Sequence, residues 1–458
     1  MFIVHCGRRP LPGGVGLTAR EAALKALGAY RRKKAWPDLS LYVLIGEAHT
    51  TAPEKALALQ ILRGVMQNTT YCDFITSKYS SFDIKKIHPV VLDILRISIY
   101  QILFLTKIPY SAAVNEGVML AKKHSNPRAA GFINAVLRKV ANSAEQGSLP
   151  DIPSEDFCRY LSVKYSHPEW LVRDYCARLG KSGAELLLAA DNSPVRPVTA
   201  QVNTLLADTG EVVSSLAADG VNAARHEWLD DCIELHNPGQ VGRLSVFRKG
   251  FIYIQDAASR LAVIAADPKP GDFVVDGCAA PGGKSFAAAI LMKDTGHIAA
   301  CDINAAKLNR INETASRLGF GVISVKEQDA REQETGMAGS ADIVIADVPC
   351  SGFGVIRKKP EIRYKTQEEI GGLPDLQKRI LFNLSSYVKP GGTLVYSTCT
   401  TFKCENENVV ESFLLGHSEF SPVPFRLPGI GDVPDGMVTL WPHIHGTDGF
   451  FICKMVRN

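Results

Sequence analysis

Two cysteines stand at matching positions, each directly after a short apolar run that is typical of a β-strand. Cys350 lies in ADVPCSG, residues 346–352, and Cys399 lies in YSTCT, residues 396–400. A single cysteine in such a place is most often an inert part of the core. If the two strands are neighbours in one parallel sheet, both thiols face one pocket, because parallel strands end at the same edge. The pair therefore predicts a site with thiol chemistry.

A thiolate is useful when the target carbon is a poor nucleophile, as C5 of a pyrimidine is. Addition of the thiolate to C6 turns the ring into an enamine-like nucleophile, which attacks a sulfonium methyl group through C5. Asp347 is placed to hydrogen-bond N3 and the exocyclic amine of a cytosine, and Lys284 is a nearby positive group that favours a thiolate. One thiol attacks and the other assists release. The residues alone do not rank the two.

A glycine-rich turn, DGCAAPGGKS at residues 276–285, follows another predicted strand and opens an apolar helix. It is not a P-loop, because Cys278 stands where the first glycine of that motif belongs, and no GxGxxG is present. Asp276, Asp302 and Asp329 each close a predicted strand. Acidic strand ends without a phosphate-binding pattern suit a nucleoside without phosphates, and S-adenosylmethionine is the candidate. Alternatively, these aspartates are ordinary helix N-caps.

Alternation of strands and helices beyond residue 270 predicts a mainly parallel, doubly wound sheet that holds these residues at its carboxyl edge. The predicted strands are FVVD, HIAACDI, ISVKEQD, ADIVIAD, TLVYST and FFICKMV. Ahead of them, a three- and four-residue apolar spacing predicts a helical bundle from Thr18 to Asn142. The strand-like runs VTAQVN and GFIYIQ flank a helical segment, which predicts a small α+β piece.

The sequence therefore predicts a multidomain chain, with boundaries where the composition turns to that of a linker. We expect an all-α RNA-binding domain over residues 17–142, and a linker with a helical segment over 143–196. A small α+β RNA-binding subdomain follows over 197–267, and a Rossmann-like α/β domain over 268–458.

Charge is distributed unevenly along the chain. Its net charge is +4, yet residues 1–150 carry 20 Lys and Arg against 9 Asp and Glu. Five of these bases surround the loop HSNPR: Lys122, Lys123, Arg128, Arg138 and Lys139. Such clustering favours contact with a polyanion, because neutralised phosphates release counterions. A solvated basic face without a ligand is the alternative.

Several classes of protein do not fit this sequence. The run from Pro89 to Leu105 is too short and too charged to span a bilayer, and the first residues lack a secretory signal. The 11 cysteines include no CxxC pair, so neither a disulfide framework nor a zinc ribbon is indicated. HIH at 443–445 lacks a third ligand, and we expect no metal. A cytoplasmic protein is predicted.

DGCAAPGGKS, ADVPCSG and YSTCT resemble the three signature motifs of the RNA cytosine-C5 methyltransferases, the NOL1/NOP2/Sun family. The run at residues 94–140 resembles a NusB-like RNA-binding domain, and SHPEWLV and HGTDGFF extend the likeness over nearly the whole chain. The resemblance implies that Cys399 is the nucleophile and that Cys350 helps product release. It also implies contacts with S-adenosylmethionine from the following residues: Cys278, Ala279, Ala280, Pro281, Gly282, Gly283, Lys284, Asp302, Asp329 and Asp347.

Departures from the family pattern are few. Glu361 replaces a frequent aspartate within RKKPEIRYK, and we expect that loop to contact RNA through a cluster of bases: Arg357, Lys358, Lys359, Arg363 and Lys365. We expect the Asn-Glu run in KCENENVV to cap a helix and to brace the active-site strand.

The resemblance implies methylation of C5 of a cytosine in 16S rRNA, with the target base flipped into the thiol pocket. The partner is 16S rRNA or a small-subunit assembly intermediate, and we expect a monomer without membrane contact. The alternative is a non-catalytic RNA-binding or antitermination factor whose methyltransferase-like half is only a scaffold. Retention of Cys350, Cys399 and Asp347 together argues against it.

Overall fold

The computed structural model describes residues 17–33, 35–47, 50–194 and 197–458. The expectation about a secretory signal concerns residues 1–16 and lies outside this range, as does the end of the predicted linker at 195–196. The chain divides into two compact units, one ending at Asn192 and the other beginning at Ser193. Among the helices described, none has both the length and the apolar character needed to cross a membrane.

The first unit is helical. Its helices are α1 Ala19–Lys33, α2 Pro37–Glu47, α3 Ala52–Tyr79, α4 Pro89–Phe104, α5 Tyr110–His124, α6 Pro127–Glu145, α7 Phe157–Tyr165 and α8 Glu169–Asn192. Helix α4 shows the spacing that builds the bundle, since Val91, Leu95 and Ile99 recur every fourth residue and are all buried. Asn126 caps α6, its side-chain oxygen accepting the backbone N–H of Ala129 at 2.9 Å.

The second unit begins with a small α+β domain. Its elements are β1 Val198–Val202, α9 Thr209–Ala218, β2 Asn222–Arg225, β3 Cys232–His236, α10 Ser245–Arg248 and β4 Ile252–Ile254. The four strands form an antiparallel sheet in the order β2-β3-β1-β4. The two predicted strands are β1 and β4. The sequence does not predict β2, because NAAR is a short, mostly exposed edge strand without apolar alternation.

The α/β domain completes the unit. Its elements are α11 Ala257–Ala266, β5 Phe273–Asp276, α12 Gly283–Leu291, β6 His297–Asp302, α13 Ala305–Leu318, β7 Ile323–Glu327, β8 Ala341–Asp347, α14 Gln367–Ile370, α15 Leu373–Ser385, β9 Val388–Thr398, α16 Glu407–Gly416, β10 Phe420–Pro422, β11 Phe425–Leu427, β12 Gly431–Val433, β13 Met437–Leu440, α17 Pro442–His445 and β14 Phe450–Arg457. The predicted succession of an all-α domain, a small α+β domain and a doubly wound α/β domain is confirmed.

The main sheet runs in the order β10-β14-β9-β8-β5-β6-β7, with β13 paired to β14. The five strands from β9 to β7 are parallel, whereas β10, β13 and β14 are antiparallel additions at one side. Successive residues of β8 alternate between two apolar clusters: Ile343 packs in one and Val344 in the other. Both faces of the sheet are therefore covered. The strand order reverses at β5, with β6 and β7 on one side of it and β8 and β9 on the other, which places ligand binding at the carboxyl ends of β5 and β8.

The small domain is fixed to the α/β domain by polar contacts at the end of α13. The buried Asn203 amide donates to Leu318 O at 2.8 Å, and Arg317 donates to Ile252 O at 3.1 Å. Gly250 lies so close to Arg317 O that a Cβ there would be 2.1 Å away. The strand β4 and the segment that follows it are therefore held at a fixed position beside the main sheet.

Candidate active site

The two cysteines singled out from the sequence meet. Cys350 follows β8 and Cys399 follows β9, and these neighbouring parallel strands pair with Asp347 opposite Ser397. The two Sγ atoms lie 3.2 Å apart, within hydrogen-bond range for sulfur. Both side chains are half-buried. The two thiols are adjacent, as expected, but only Cys399 lines the cavity described below, so the expectation that both face one pocket is met for Cys399 alone.

A lysine and an aspartate lie beside the thiols. The Lys284 ammonium, only 7% exposed, donates to Asp347 Oδ2 and to Ser259 Oγ, the latter at 3.0 Å. Asp347 Oδ1 accepts from Ser397 Oγ at 2.8 Å. Lys284 also lies 5.2 Å from the centroid of the Phe450 ring. Asp347 is thus held by two donors, one of which brings positive charge to the site.

The two thiols differ in their electrostatic surroundings, and their pKa values shift in opposite directions. The hydrogen bond with Cys350 lowers the pKa of the Cys399 thiol, and the positive charges of Lys284 and Lys359 lower it further, against burial and Asp347. The hydrogen bond with Cys399 and burial raise the pKa of the Cys350 thiol well above its usual range, and Glu405 adds to the rise. Cys399 is therefore the more acidic thiol of the pair.

A cavity of about 370 Å³ opens over this group. It is lined by the following residues: Ile254, Gln255, Asp256, Ser259, Asp276, Cys278, Ala279, Ala280, Pro281, Gly283, Lys284, Asp347, Val355, Lys359, Cys399, Asp448 and Phe450. Among the residues that the structure describes, Cys399 forms part of the wall and Cys350 does not. Cys399 is therefore the thiol that a ligand in this cavity would meet.

A second cavity of about 320 Å³ adjoins the first and shares Cys278 with it. Asp302 and Asp329 line it, together with the exposed Ile303 and Pro349. Asp329 lies two residues beyond the end of β7, and its carboxylate is engaged by the Arg331 guanidinium at 2.9 Å. An acidic strand end beside apolar side chains suits a ribose diol and a purine ring.

The glycine-rich turn joins the two cavities. Ala280 N–H donates to Asp302 Oδ2 at 3.2 Å, so the carboxylate of β6 supports the turn. Gly282 has φ of 104° and precedes α12, and a Cβ there would lie 2.4 Å from the Phe286 ring. The alternative that Asp302 is a helix N-cap is wrong, because Asn304 caps α13 by accepting from Lys307 N at 3.1 Å.

Asp276 provides a direct check on whether the turn fits a cofactor. Its side chain is fully buried, and Oδ2 accepts from Ser285 Oγ at 2.7 Å. Oδ1 has no hydrogen-bond partner among the described residues, although the carboxylate lines the larger cavity. Burial raises the pKa of Asp276 to about 6. An unpartnered carboxylate oxygen at a cavity wall fits a ligand ammonium group such as that of S-adenosylmethionine.

The basic loop differs from its prediction. Arg357 and Arg363 are buried rather than RNA-facing. Lys358 donates to Asp256 at 2.5 Å and to Asp448 at 2.7 Å, and Lys365 donates to Ser351 O at 2.7 Å. Of the five basic residues only Lys359 is exposed, and it lines the larger cavity. Most basic side chains of this loop therefore bind groups of the protein around the thiol site. The prediction of an RNA contact rested on charge alone, and charge does not show whether a side chain is buried.

Several residues of the site escape sequence reasoning. Gln255, Asp256 and Ser259 come from the segment after β4, and Asp448 and Phe450 from the start of β14. A signal was present for the last two, because HGTDGFF carries part of the family resemblance.

Asn406, expected to cap a helix, makes no side-chain cap. It accepts from Thr398 Oγ1 at 2.6 Å and donates to Thr400 O at 3.0 Å. It braces the strand of Cys399. No cluster of three side chains suited to a metal occurs in the described ranges.

Comparisons with known proteins show which family the chain belongs to. The family model described as 16S rRNA methyltransferase RsmB/F matches residues 263–456, the NusB family model matches 17–142, and a ferredoxin-like domain model of RsmF/B-like methyltransferases matches 167–242. A Bacillus subtilis relative named probable ribosomal RNA small subunit methyltransferase B is 36% identical, over 96% of this chain and 99% of its own.

Solved structures give the same result. The crystal structure of PH0851 has a TM-score of 0.79 at 28% identity, covering 97% of this chain and 99% of its own. NSun6 from Pyrococcus horikoshii, solved with SFG, has a TM-score of 0.57 at 22% identity over 63% of this chain and 98% of its own, and shows the shared fold. S-adenosylmethionine, the predicted cofactor, is confirmed as the methyl donor. The chain belongs to the 16S rRNA methyltransferase RsmB/F family, whose relatives include ribosomal RNA small subunit methyltransferase B.

Proposed function

We propose that the protein methylates C5 of a cytosine in 16S rRNA through a covalent bond between Cys399 and C6. The observation that carries the proposal is the pair of thiols 3.2 Å apart, at the edge of a cavity that the glycine-rich turn also lines. Bound S-adenosylmethionine supplies an electrophilic methyl group. The remaining chemistry belongs to side chains of this chain.

Cys399 begins the reaction. Its thiolate adds to C6, and the electron pair of the C5–C6 bond moves toward C5 and the N3 side of the ring. Lys284 and Asp347, hydrogen-bonded to each other, lie where this charge builds up and supply a donor and an acceptor for the polar edge of the base. C5 then carries the electron density that forms the new carbon–carbon bond.

Release reverses the addition. After C5 has gained the methyl group, its proton leaves to a base, the C5–C6 double bond forms again, and the C6–S bond breaks with the electron pair returning to Cys399. The Cys350 thiol, within hydrogen-bond distance, stabilises the departing Cys399 thiolate. We therefore assign attack to Cys399 and assistance in release to Cys350.

The proposed RNA substrate fits the helical unit. Lys122, Lys123, Arg128, Arg138 and Lys139 are all exposed there, at the end of α5 and along α6. Exposed lysine and arginine on neighbouring helices provide the non-specific attraction for phosphates that RNA-binding proteins need. The same unit carries the match to the NusB family.

Transfer of a labelled methyl group tests the proposal. The protein is incubated with S-adenosylmethionine labelled in its methyl group and with undermodified 16S rRNA, and the RNA is digested to nucleosides. We expect the label in 5-methylcytidine, and none with Cys399→Ala. Label in another nucleoside would contradict the assignment of the target atom, and no transfer at all would favour a non-catalytic RNA-binding factor.

A further inference from the structure

A buried carboxylate lies behind the Cys350 loop. Glu405 ends a short 3₁₀ turn, Lys403–Glu405, six residues after Cys399, and only 1% of its surface is exposed. The hydroxyl of Tyr396 donates to Glu405 O at 2.5 Å, which fixes the backbone of this turn against β9. A charged group buried this deeply costs free energy unless ion pairs or hydrogen bonds compensate for its lost hydration.

Glu405 holds the residues on both sides of Cys350. The Ser351 N–H donates to Glu405 Oε2 at 2.8 Å. The Gln377 amide donates to the same oxygen at 2.9 Å and to Pro349 O at 3.0 Å. Pro349 and Ser351 are therefore anchored to one carboxylate, directly or through one amide, and that anchor holds the Cys350 backbone between them.

The charge of this carboxylate is not neutralised locally. Glu405 Oε1 is buried without a hydrogen-bond partner, and Glu405 forms no ion pair among the described residues. Its negative charge adds to the rise in the pKa of the Cys350 thiol, whereas Lys284 and Lys359 act on Cys399 in the opposite sense. The hydroxyl of Ser351 donates to Thr400 Oγ1 at 2.9 Å, so both thiol segments share this framework.

We propose that Glu405 is a positioning residue that keeps Cys350 a neutral thiol beside the Cys399 thiolate, so that one thiolate alone faces the base. The inference rests on the proposed function and deepens it. Two thiolates 3.2 Å apart would repel each other, and the negative charge of Glu405 on the Cys350 side favours the proton on Cys350. A neutral Cys350 is also the form that can donate a hydrogen bond to Cys399 when the C6–S bond breaks.

Glu405→Gln separates charge from hydrogen bonding, since glutamine retains an oxygen that accepts from Ser351 N–H. The titration is performed in the Cys399→Ala background, so that Cys350 ionises without its coupled partner. Alkylation of Cys350 by iodoacetamide is followed across pH by mass spectrometry of its peptide. Because each unit of pKa changes the thiolate fraction about tenfold below the pKa, we expect about tenfold faster alkylation with Glu405→Gln at pH 7.5.

A matched control is Glu411→Gln on α16, which removes the same charge from an exposed site and should leave the rate unchanged. An unchanged rate with Glu405→Gln would overturn the proposal. If that variant does not fold, the pKa of Cys350 in the Cys399→Ala parent remains a test. A value at or below that of a free thiol would overturn the proposal. Neither measurement uses RNA or cofactor, so failure of methyl transfer and failure of this inference are distinguishable.

Discussion

The ends of β8 and β9 carry the same reactive group in similar sequence settings and share Asp347 as a neighbour, and yet their other charged neighbours differ. Cys399 lies at the wall of the larger cavity with Lys284 and Lys359 nearby. Cys350 lies outside that wall, anchored through its neighbours to Glu405. In the proposed mechanism, two equivalent strand ends serve as a nucleophile and an assisting thiol because of side chains supplied by other elements. Position in the sheet brings the thiols together, and neighbouring charge distinguishes them.

Exchanging each thiol for alanine gives the largest expected effect and tests the comparison most severely. Cys399→Ala should lower methyl transfer by more than about a thousandfold, because the covalent route is lost. Cys350→Ala should instead accumulate a protein–RNA adduct that survives a denaturing gel, because release slows while attack continues. Cys404→Ala, at an exposed cysteine nearby, is the control and should behave as the parent. An adduct in Cys399→Ala but not in Cys350→Ala would reverse the two roles.

Removal of the lysine beside Cys399 should reduce the difference in pKa between the Cys399 and Cys350 thiols. Lys284→Gln takes a positive charge from the site, so the pKa of Cys399 rises and the thiolate fraction at pH 7 falls, by about tenfold for one pKa unit. The rate of alkylation of Cys399 in the free protein measures this. The matched control is Lys269→Gln. Lys269 is 63% exposed and paired with Asp267, and its removal should leave the alkylation rate of Cys399 unchanged. Equal rates for Lys284→Gln and the parent would show that Lys284 does not tune the thiol.

A smaller effect is expected at Asp276. The Asp347 carboxylate is paired with Lys284, whereas Asp276 has a buried oxygen without a hydrogen-bond partner among the described residues. The pKa of Asp276 is raised to about 6 in the folded protein, above its usual 3.8, so its contribution to stability is complete below pH 3.8 and is lost as pH rises through 6. Asp276→Asn removes this loss, and its stability relative to the parent should grow by about 2 kcal/mol from pH 4 to pH 7.

Melting temperatures measured across that range without cofactor provide the test. The same variant should bind S-adenosylmethionine more weakly by calorimetry, because the negative charge that would pair with the ligand ammonium is lost. Asp435→Asn, the same substitution at an exposed aspartate, serves as a control for the pH series. A stability difference that is flat with pH would show that Asp276 is ionised normally in the folded chain.

Sequence reasoning reached the reacting groups because they are local. Cys350, Cys399 and Asp302 each end a strand whose apolar pattern is legible, and the sheet rule then places them at one edge. It placed Glu405 only in a run expected to cap a helix and brace a strand, and it misjudged Lys358, whose carboxylate partners Asp256 and Asp448 are 102 and 90 positions away along the chain. Such pairs depend on how distant elements pack, and no local period encodes that packing.

The most direct test of the account identifies the cysteine that bonds the base. RNA in which cytidine is replaced by 5-fluorocytidine carries a fluorine at C5 that cannot leave as the proton does, so the covalent adduct with the unaltered protein persists after methyl transfer. Proteolysis and mass spectrometry then locate the modified peptide. The account predicts the nucleotide on Cys399, in the peptide that contains YSTCT. A nucleotide on Cys350, or no adduct while methylation proceeds, would contradict it.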